Sequence, residues 1–263
     1  MSERSERQRT RVDAIVRTLQ QSGVVSIDEL CQKFGASVAT VRRDLQQLES
    51  QGMLRRTHGG AVPIEPLFYE PFRKDVSFVD LMNRHAEEKR RIAQAAAELV
   101  VQGNRISLTA GTTTTEIIRC LRYKGGIEVV TNTVNVAMEL AKQKDIDVFV
   151  TGGHLRGDWF SLVGPAAIES LRRTFVDITF LGANGIDVAS GLTCHNPDEA
   201  EVNKTMVAQA KTKIAVVDHS KLGLTAAWSI CPVTELDLLI TDRDATEEQL
   251  APFKKAGISI RAV

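Results

Sequence analysis

The sequence predicts an α/β protein with two unequal domains, a small helical domain at the N-terminus and a larger one behind it. Residues 37–52 form an amphipathic helical pattern in the first part. From residue 84 onward, short β-branched runs alternate with helical stretches, which is typical of a sheet with helices on its faces. We therefore predict domains at 1–61 and 84–263, joined by a linker at 62–83, with a Rossmann-like α/β architecture in the second.

The composition describes a globular chain. Hydrophobic residues make up 43% and charged residues 25% of the 263 positions, enough for a sizeable core in more than one domain. No apolar run approaches about 18 residues, the length that suggests a membrane helix. The first residues are polar, so we expect a cytoplasmic protein that does not enter a membrane. The four cysteines are widely separated, so we predict neither a disulfide framework nor a metal site, and no cofactor is implied.

The charge is unevenly distributed along the chain. Residues 1–60 contain 10 Lys and Arg against 7 Asp and Glu, a net charge of +3, whereas the whole chain is neutral. A positive N-terminal domain has the sign that DNA binding requires.

The first domain begins with two predicted helices. Residues 5–21 carry apolar side chains at helical spacing, and Gly23 ends the pattern. Ser26 and Glu29 have the spacing of a capping box, which predicts that a second helix starts there. Arginines near the start of the first helix oppose the helix dipole and fit better with an external phosphate. They are Arg4, Arg7, Arg9 and Arg11.

The third helix, at 37–52, has the pattern of a DNA-recognition helix. It follows a tight break at 33–37, which gives a helix-turn-helix pattern. Its apolar stripe, predicted to face a small core, consists of Val38, Val41, Leu45 and Leu48. The opposite face offers groups that contact base edges and phosphates. The predicted contacts are Ser37, which also suits the N-cap, Ala39, Thr40, Arg42, Arg43 and Gln46. The alternative is that the two arginines only decorate a solvated face.

A glycine-tipped hairpin follows at 53–62. The paired glycines at 59 and 60 mark its tip, and we interpret the hairpin as the wing of a winged helix-turn-helix domain. The residues predicted to reach the DNA backbone or the minor groove are Arg55, Arg56 and His58. The alternative for the histidine is a surface turn residue without a DNA contact.

The linker at 62–83 combines three prolines with four aromatic residues. Prolines disfavour a continuous helix, and aromatic residues are unusual in disordered linkers. We expect an extended arm that packs onto one or both domains.

The second domain is predicted to contain a helix at 85–102 and seven strands. The charged run at 87–91, near the start of that helix, is interpreted as a solvated surface. The predicted strands lie at 105–109, 127–131, 146–150, 178–181, 214–217, 236–241 and 258–261.

A threonine-rich loop at 107–116 lies between the first strand and a helix. Free backbone N–H groups, threonine hydroxyls and a helix N-terminus together suit a phosphate. The alternative is a threonine-rich cap with no ligand. No GxGxxG or GxxxxGK[ST] motif occurs in this segment, which disfavours dinucleotides and P-loop nucleotides. The residues predicted to bind a ligand here are Thr109, Gly111, Thr112, Thr113 and Thr114.

Other strand ends add polar residues and glycines, at the positions where open α/β sheets bind ligands. The predicted ligand-binding residues are Asn132, Gly152, Gly153, Asn184 and Lys221, of which the lysine is the candidate phosphate partner. Pro197 suits the first turn of a further helix, whose acidic residues can complement its dipole. Glu199 of that helix could instead bind sugar hydroxyls or an amino group, with Lys204 one turn further along.

The sequence of the first domain resembles a known family. The runs SVATVRRDL at 37–45, LE at 48–49, GMLRR at 52–56 and HGGA at 58–61 resemble the winged-helix domain of the DeoR family of bacterial sugar-metabolism regulators. Residues 84–263 resemble the sugar-phosphate sensor domain of that family, which is similar in fold to ribose-5-phosphate isomerase and glucosamine-6-phosphate deaminase. The matching positions are 111–114, 130–132, 151–153, 181–182 and 218–221.

The resemblance has one departure and one finer feature. The family commonly has an Asp-Ser-Gly type of entry to the threonine loop, whereas this chain has Thr109-Ala110-Gly111 and lacks a carboxylate that can hold a sugar hydroxyl. The run at 193–200, with Asn203, resembles the branch that senses phosphorylated amino sugars, such as N-acetylgalactosamine derivatives, more than it resembles the glycerol-phosphate branch.

Three hypotheses follow. The first is a regulator, expected to be a repressor, that binds double-stranded operator DNA of a carbohydrate operon and is released by a phosphorylated sugar. It is expected to form a homodimer or homotetramer, because such proteins usually read two half-sites. The second is a sugar-phosphate isomerase or deaminase that uses Glu199, His195 or Asp218 as acid and base. The third is a DNA-binding protein without a ligand, for which the missing carboxylate at position 109 is the argument.

Overall fold

The computed structural model describes residues 3–50, 54–63, 78–122, 124–157 and 159–263. The chain divides into two compact units. The head unit comprises residues 1–67 with 142–144, and the sheet unit comprises 68–141 and 145–263. Gly52, Phe68, Tyr69 and Phe72, which entered the predictions for the recognition helix and the linker, lie outside the described residues.

The head unit contains three helices and a small antiparallel sheet. Its elements are α1 Glu3–Ser22, β1 Val25–Ser26, α2 Ile27–Phe34, α3 Val38–Ser50, β2 Arg55–Arg56 and β3 Gly60–Val62, with strand order β1-β3-β2. The capping box is present, because the Ser26 hydroxyl accepts from Glu29 N and the Glu29 carboxylate accepts from Ser26 N. Gly35 ends α2 in the left-handed conformation with φ 57°, which glycine adopts without strain.

The apolar stripe of α3 reaches the head core at three of its four predicted positions. Val41, Leu45 and Leu48 are buried in a cluster with Ile15 of α1. The prediction for Val38 is wrong, since this side chain is 43% exposed. It is the first helical residue after the Ser37 cap, and this end of α3 extends past the small core.

An ion pair between α1 and α3 lies at the edge of this core. Arg11 Nε donates to Asp44 Oδ2 at 2.5 Å, and the Asp44 side chain is almost fully buried. Arg11 therefore joins two helices of the head, a role that differs from the predicted contact with a phosphate. The side chains of Arg4, Arg7 and Arg9 lie outside the described part of the chain.

The predicted hairpin is present, and a third strand that the sequence did not reveal is paired with it. Strand β1 pairs with β3, with Ser26 opposite Gly60. The two strands approach so closely that a Cβ at Gly60 would lie 1.9 Å from Val25 O. A Cβ at the neighbouring Gly59 would meet no atom within 4 Å. The two glycines of the tip therefore have different physical roles.

We predict that Gly60→Ala lowers the free energy of unfolding of the head by more than about 2 kcal/mol, because the added methyl group overlaps backbone atoms that cannot move aside cheaply. Hydrogen exchange of head-unit peptides along a urea titration of the whole chain measures this loss. Gly59→Ala is the matched control, with an expected change of less than about 0.5 kcal/mol. Equal effects of the two substitutions would contradict this account of the wing.

The sheet unit is a three-layer α/β structure. Its helices are α4 Phe78–Asn83, α5 Ala86–Glu98, α6 Thr112–Leu121, α7 Val134–Leu140, α8 Pro165–Arg172, α9 Pro197–Ala208 and α10 Glu247–Lys255. Its strands are β4 Arg105–Leu108, β5 Ile127–Thr131, β6 Ile146–Val150, β7 His154–Arg156, β8 Ser161–Val163, β9 Val176–Leu181, β10 Gly185–Asp187, β11 Gly191–Cys194, β12 Ala210–Val216, β13 Trp228–Cys231, β14 Leu238–Thr241 and β15 Ile260–Ala262.

Seven parallel strands form the main sheet, in the order β15-β14-β12-β9-β4-β5-β6. One apolar cluster joins this sheet to α5, α6 and α7, and two others join it to α8, α9 and α10. Within this sheet, the first strand in chain order is β4. The next two strands, β5 and β6, lead to one edge, and β9 then pairs with the other side of β4. The order of strands therefore reverses between β4 and β9, the position where open α/β sheets form a ligand crevice.

All seven predicted strands are members of this sheet. The bounds of β5 and β6 agree with the prediction, whereas β9 and β12 start two and four residues earlier than predicted. The five short antiparallel strands β7, β8, β10, β11 and β13 were not predicted, because three or four residues are too few for a clear alternating pattern.

The last part of the predicted linker is helical. Phe78–Asn83 form α4, whereas an extended arm was expected over the whole of 62–83. Phe78 is buried against Trp159 and Phe160, which agrees with the expectation that linker aromatics pack onto a domain. None of the described helices combines the length and apolar composition that a membrane crossing requires.

Candidate functional site

The outer face of α3 presents the predicted DNA-binding groups to solvent. Arg42, Arg43 and Gln46 are exposed, as are Ser37 and Ala39, and Thr40 is half-buried. The Ser37 hydroxyl accepts from Thr40 N at 3.2 Å, so it also caps the helix as predicted. The arginines have no ion-pair partner within the described ranges, which leaves both guanidinium groups available to an anionic partner.

The wing contains three further exposed residues that were predicted to contact DNA: Arg55, Arg56 and His58. Arg56 also has a structural role, because its Nε and backbone N donate to the Glu49 carboxylate at 2.7 and 2.9 Å. These hydrogen bonds lower the pKa of Glu49 and fasten the wing to the end of α3. The Arg56 side chain remains 41% exposed.

The sheet unit contains a cavity of about 410 Å³ at the carboxyl ends of β4, β9 and β12. It lies at the reversal of strand order. Gly111 to Thr113 contribute from the loop after β4, Gly182 to Asn184 from the loop after β9, and Asp218 and Lys221 from the loop after β12. Six of the predicted ligand-binding residues line it: Gly111, Thr112, Thr113, Asn184, Glu199 and Lys221.

Some threonines of the threonine-rich loop line the cavity, and others make hydrogen bonds that stabilise the fold. Thr112 and Thr113 face the cavity at the N-terminus of α6, where unpaired N–H groups and the helix dipole favour an anion. Thr114 instead donates to the carbonyls of Thr109 and Gly111 at 2.8 and 3.0 Å. The Thr109 hydroxyl accepts from Gly182 N at 2.9 Å and ties the end of β4 to that of β9. Neither Thr109 nor Thr114 lines the cavity.

Three cations line the cavity: Arg84, Lys89 and Lys221. The sequence prediction singled out only Lys221. The charged run at 87–91 was interpreted as a solvated surface, and this is wrong for Lys89, which is 5% exposed. Burial lowers the pKa of Lys89, and the nearby Asp218 carboxylate opposes that shift. A signal for this residue was present, because Lys89 lies three positions before Ile92 and four before Ala93, which places it on the buried face of α5.

A second group of polar residues lines the cavity on and around α9: His195, Glu199, Asn203 and, after β9, Asn184. Glu199 Oε1 accepts from Ser161 Oγ at 2.9 Å and lies 3.5 Å from Arg156 Nη1. These contacts hold the carboxylate in place, facing the cavity. As predicted, Pro197 is in the first turn of α9, whose N-cap is Asn196.

Four further predicted ligand residues lie away from the cavity. Asn132, Gly152 and Gly153 follow β5 and β6, which are on the far side of β4 from β9, so their loops do not reach it. The Asn132 amide instead donates to Leu162 O at 3.0 Å. Lys204 is exposed and pairs with Glu201 at 2.8 Å, because it points outward from α9.

One group of metal-type ligands occurs among the described residues: His219, Asp242 and Asp244. Asp242 is buried, and its carboxylate accepts from the backbone N–H groups of His219 and Asp244 and contacts the His219 ring at 2.8 Å. These contacts account for the cluster as an anchor for the loop that carries Asp218 and Lys221.

Two family models match the chain. The DeoR-like helix-turn-helix domain matches residues 11–66, and the DeoR C terminal sensor domain matches residues 84–243. The chain is 38% identical to the HTH-type transcriptional regulator GlpR of Haloferax volcanii, over 94% of each chain. It is 35% identical to a putative aga operon transcriptional repressor of Escherichia coli O157:H7, over 95% of this chain and 92% of the relative. A D-ribose-5-phosphate isomerase structure overlaps 52% of this chain and 53% of its own length, with 19% identity and a TM-score of 0.39.

The fold and the two sites define a helix-turn-helix DNA-binding protein with a separate α/β sensor domain. The chain belongs to the DeoR family of transcriptional regulators.

We predict that the double variant Arg42→Ala, Arg43→Ala weakens binding to duplex DNA about 10- to 100-fold and lowers the salt slope of binding by about 2, because two cations leave the DNA face. Fluorescence anisotropy over a salt series, on a duplex that the native protein selects from a random pool, measures both. The control Arg172→Ala, Arg173→Ala removes the same charge from the last residue and the C-cap of α8, in the sheet unit. If both double variants lose affinity equally, α3 is not the recognition helix.

Proposed function

We propose that this chain is a repressor of a carbohydrate-utilisation operon and that a phosphorylated sugar releases it from its operator. The observation that carries the proposal is the cavity at the reversal of strand order. Its wall combines the N-terminus of α6 with Lys89, Lys221 and Arg84, in a chain that also has a recognition helix. The two relatives, named as a transcriptional regulator and a putative operon repressor, support the same function.

The phosphate is proposed to bind between Thr112, Thr113 and Lys221. A phosphate accepts hydrogen bonds only, and this corner offers hydroxyl, backbone N–H and ammonium donors together. Charge-assisted bonds of this kind are about twice as strong as neutral ones. The positive end of the α6 dipole also attracts the negative phosphate. We therefore propose that the phosphate group makes most of the electrostatic contacts of the ligand with the cavity.

The sugar is proposed to extend toward Glu199, Asn203 and Asn184. A carboxylate held by Ser161 and Arg156 is fixed in orientation and can accept from hydroxyl or ammonium groups. An amino sugar phosphate carries an ammonium group that can bind Glu199 and a phosphate group that can bind Lys221. We propose that amino-sugar phosphates are the preferred class.

Catalysis is the less favoured alternative, although His195, Glu199 and Asp218 all line the cavity. Asp218 accepts from Ser220 N at 3.1 Å and also from Ser220 Oγ, and Glu199 is held by two partners. These contacts orient the two carboxylates, and it is the helix-turn-helix domain, with relatives named as transcriptional regulators, that favours a binding protein over an enzyme. We propose that the chain is not an enzyme, and a test for turnover of hexosamine 6-phosphates and pentose 5-phosphates belongs with the binding experiments.

The repressor is proposed to act as a homodimer or homotetramer assembled through the sheet unit. One winged head makes limited specific contact, so two heads on paired half-sites provide the required specificity. Light scattering of the DNA-free protein tests this.

The function is tested by a thermal-shift panel of phosphorylated sugars, followed by operator release with any compound that binds. A ligand at about 100 times its dissociation constant raises the free energy of unfolding by about 2.7 kcal/mol. We expect such a compound to dissociate the protein from its selected duplex. A compound that binds without affecting DNA, or a panel with no binder, would refute the proposal.

We predict that Lys221→Met weakens binding of the effector about 10- to 100-fold, because it removes a charge-assisted hydrogen bond to phosphate. Calorimetry with the compound from the panel measures this. Lys204→Met is the matched control on the same unit, since its ammonium pairs with Glu201 outside the cavity. Affinity for DNA without effector is expected to stay unchanged in both variants. An unchanged dissociation constant in Lys221→Met would place the phosphate elsewhere.

A further inference from the structure

Helix α4 forms part of the cavity wall and is held there by a buried lysine. Leu81 of α4 and the following Arg84 line the cavity. Their carbonyl oxygens both accept from Lys89 Nζ, the second at 2.6 Å. These carbonyls belong to the C-terminal end of a short helix, where carbonyl groups lack partners within the helix. The ammonium of Lys89 therefore fastens the end of α4 to α5.

The same lysine also lines the cavity. An ammonium has three N–H donors, and two of those on Lys89 are used by the carbonyls of Leu81 and Arg84. Lys89 itself lines the cavity, so its remaining donor is available to a ligand. An anion there favours the charged lysine, which makes the strongest bonds to the α4 carbonyls.

The N-terminal end of α4 also contacts the cavity wall. Phe78 is buried and packs edge-on against Phe160 and Trp159, with ring centroids 5.5 and 6.2 Å apart. Trp159 lines the cavity, whereas Phe78 does not. Phe160 adopts φ 55°, a conformation that is rare for a large side chain and persists only where packing enforces it. Both ends of α4 are thus held by side chains that a ligand can touch.

We propose that α4 is the element that transmits occupancy of the cavity, through the ammonium of Lys89 and the ring of Trp159, which hold both the ligand and the helix. This proposal rests on the proposed function and adds its regulatory step. Binding of an anionic ligand and docking of α4 stabilise each other, as linkage requires. The sheet unit begins at residue 68 and α4 at residue 78, so we expect a change in the docking of α4 to act on the chain that leads to the DNA-binding head.

The direct test is hydrogen exchange of the full-length protein, with and without glucosamine 6-phosphate or the compound found in the panel. We expect exchange of peptides covering residues 78–84 to slow at least about 5-fold on binding, the lower range of allosteric coupling. Inorganic phosphate alone is expected to reproduce part of the effect. Unchanged exchange in these peptides, at saturating ligand, overturns the proposal.

The variant Phe78→Ala provides an independent test, because this residue does not line the cavity. We expect its dissociation constant for the ligand to rise about 5- to 20-fold, with DNA affinity in the absence of ligand retained. Phe78→Leu, which keeps most of the apolar contact, is expected to recover most of the affinity. Phe175→Ala is the control, since that ring is 71% exposed on the same unit.

The two proposals fail in different ways. If a ligand binds and releases the operator while Phe78→Ala binds it normally and α4 exchange is unchanged, only the role of α4 is wrong. If no phosphorylated sugar binds the native protein, the proposed function fails and the role of α4 fails with it. Circular dichroism of each variant separates loss of coupling from loss of fold.

Discussion

The pairing of β4 with β9 is the constraint on which the ligand site depends. The two strands are adjacent in the sheet although about 70 residues separate them in the chain, as in the register Ser107 to Thr179. Their side chains share a buried hydrogen bond of 2.8 Å, and Thr109 binds Gly182 N just beyond the last paired residues. Because successive connections leave β4 in opposite directions, the loops after β4 and β9 separate and open a crevice. The N-terminus of α6 then faces the loop that carries Lys221, and the cavity between them is the result.

This constraint also explains how much the sequence predicts. The seven parallel strands are predictable because each is a short β-branched run, and burial on both faces produces that pattern. Their order is not predictable from the same pattern, since a buried strand looks alike at the centre and near the edge. The loops after β5 and β6 were therefore grouped with those after β4 and β9, and Asn132, Gly152 and Gly153 were assigned to a site they do not line. Lys89 was missed for a different reason, because the charged run was interpreted as solvated although the spacing to Ile92 places this residue on the buried face of α5.

In the head, local signals predicted more than in the sheet unit. A capping box, a glycine that ends a helix and a helical stripe each depend on residues within a few positions. The capping box is present, α1 ends directly before Gly23, and the stripe is buried at three of its four positions. The features that escaped prediction connect distant positions. Arg11 and Asp44 are 33 residues apart, and Gly60 meets Val25 across a strand pair. Such contacts form only when the head unit is folded, so local sequence patterns do not reveal them. They hold α3 and the wing in the arrangement that presents Arg42 and Arg43.

The missing carboxylate at position 109 is the argument for a protein without a ligand. The position of Thr109 in the structure weakens that argument. Thr109 is fully buried and its hydroxyl is occupied by Gly182 N, so this side chain does not line the cavity. Acidic groups reach the cavity from other elements, since Glu199 comes from α9 and Asp218 from the end of β12. The chain therefore retains carboxylates for a polar ligand, and the substitution at 109 bears on how β4 and β9 are joined.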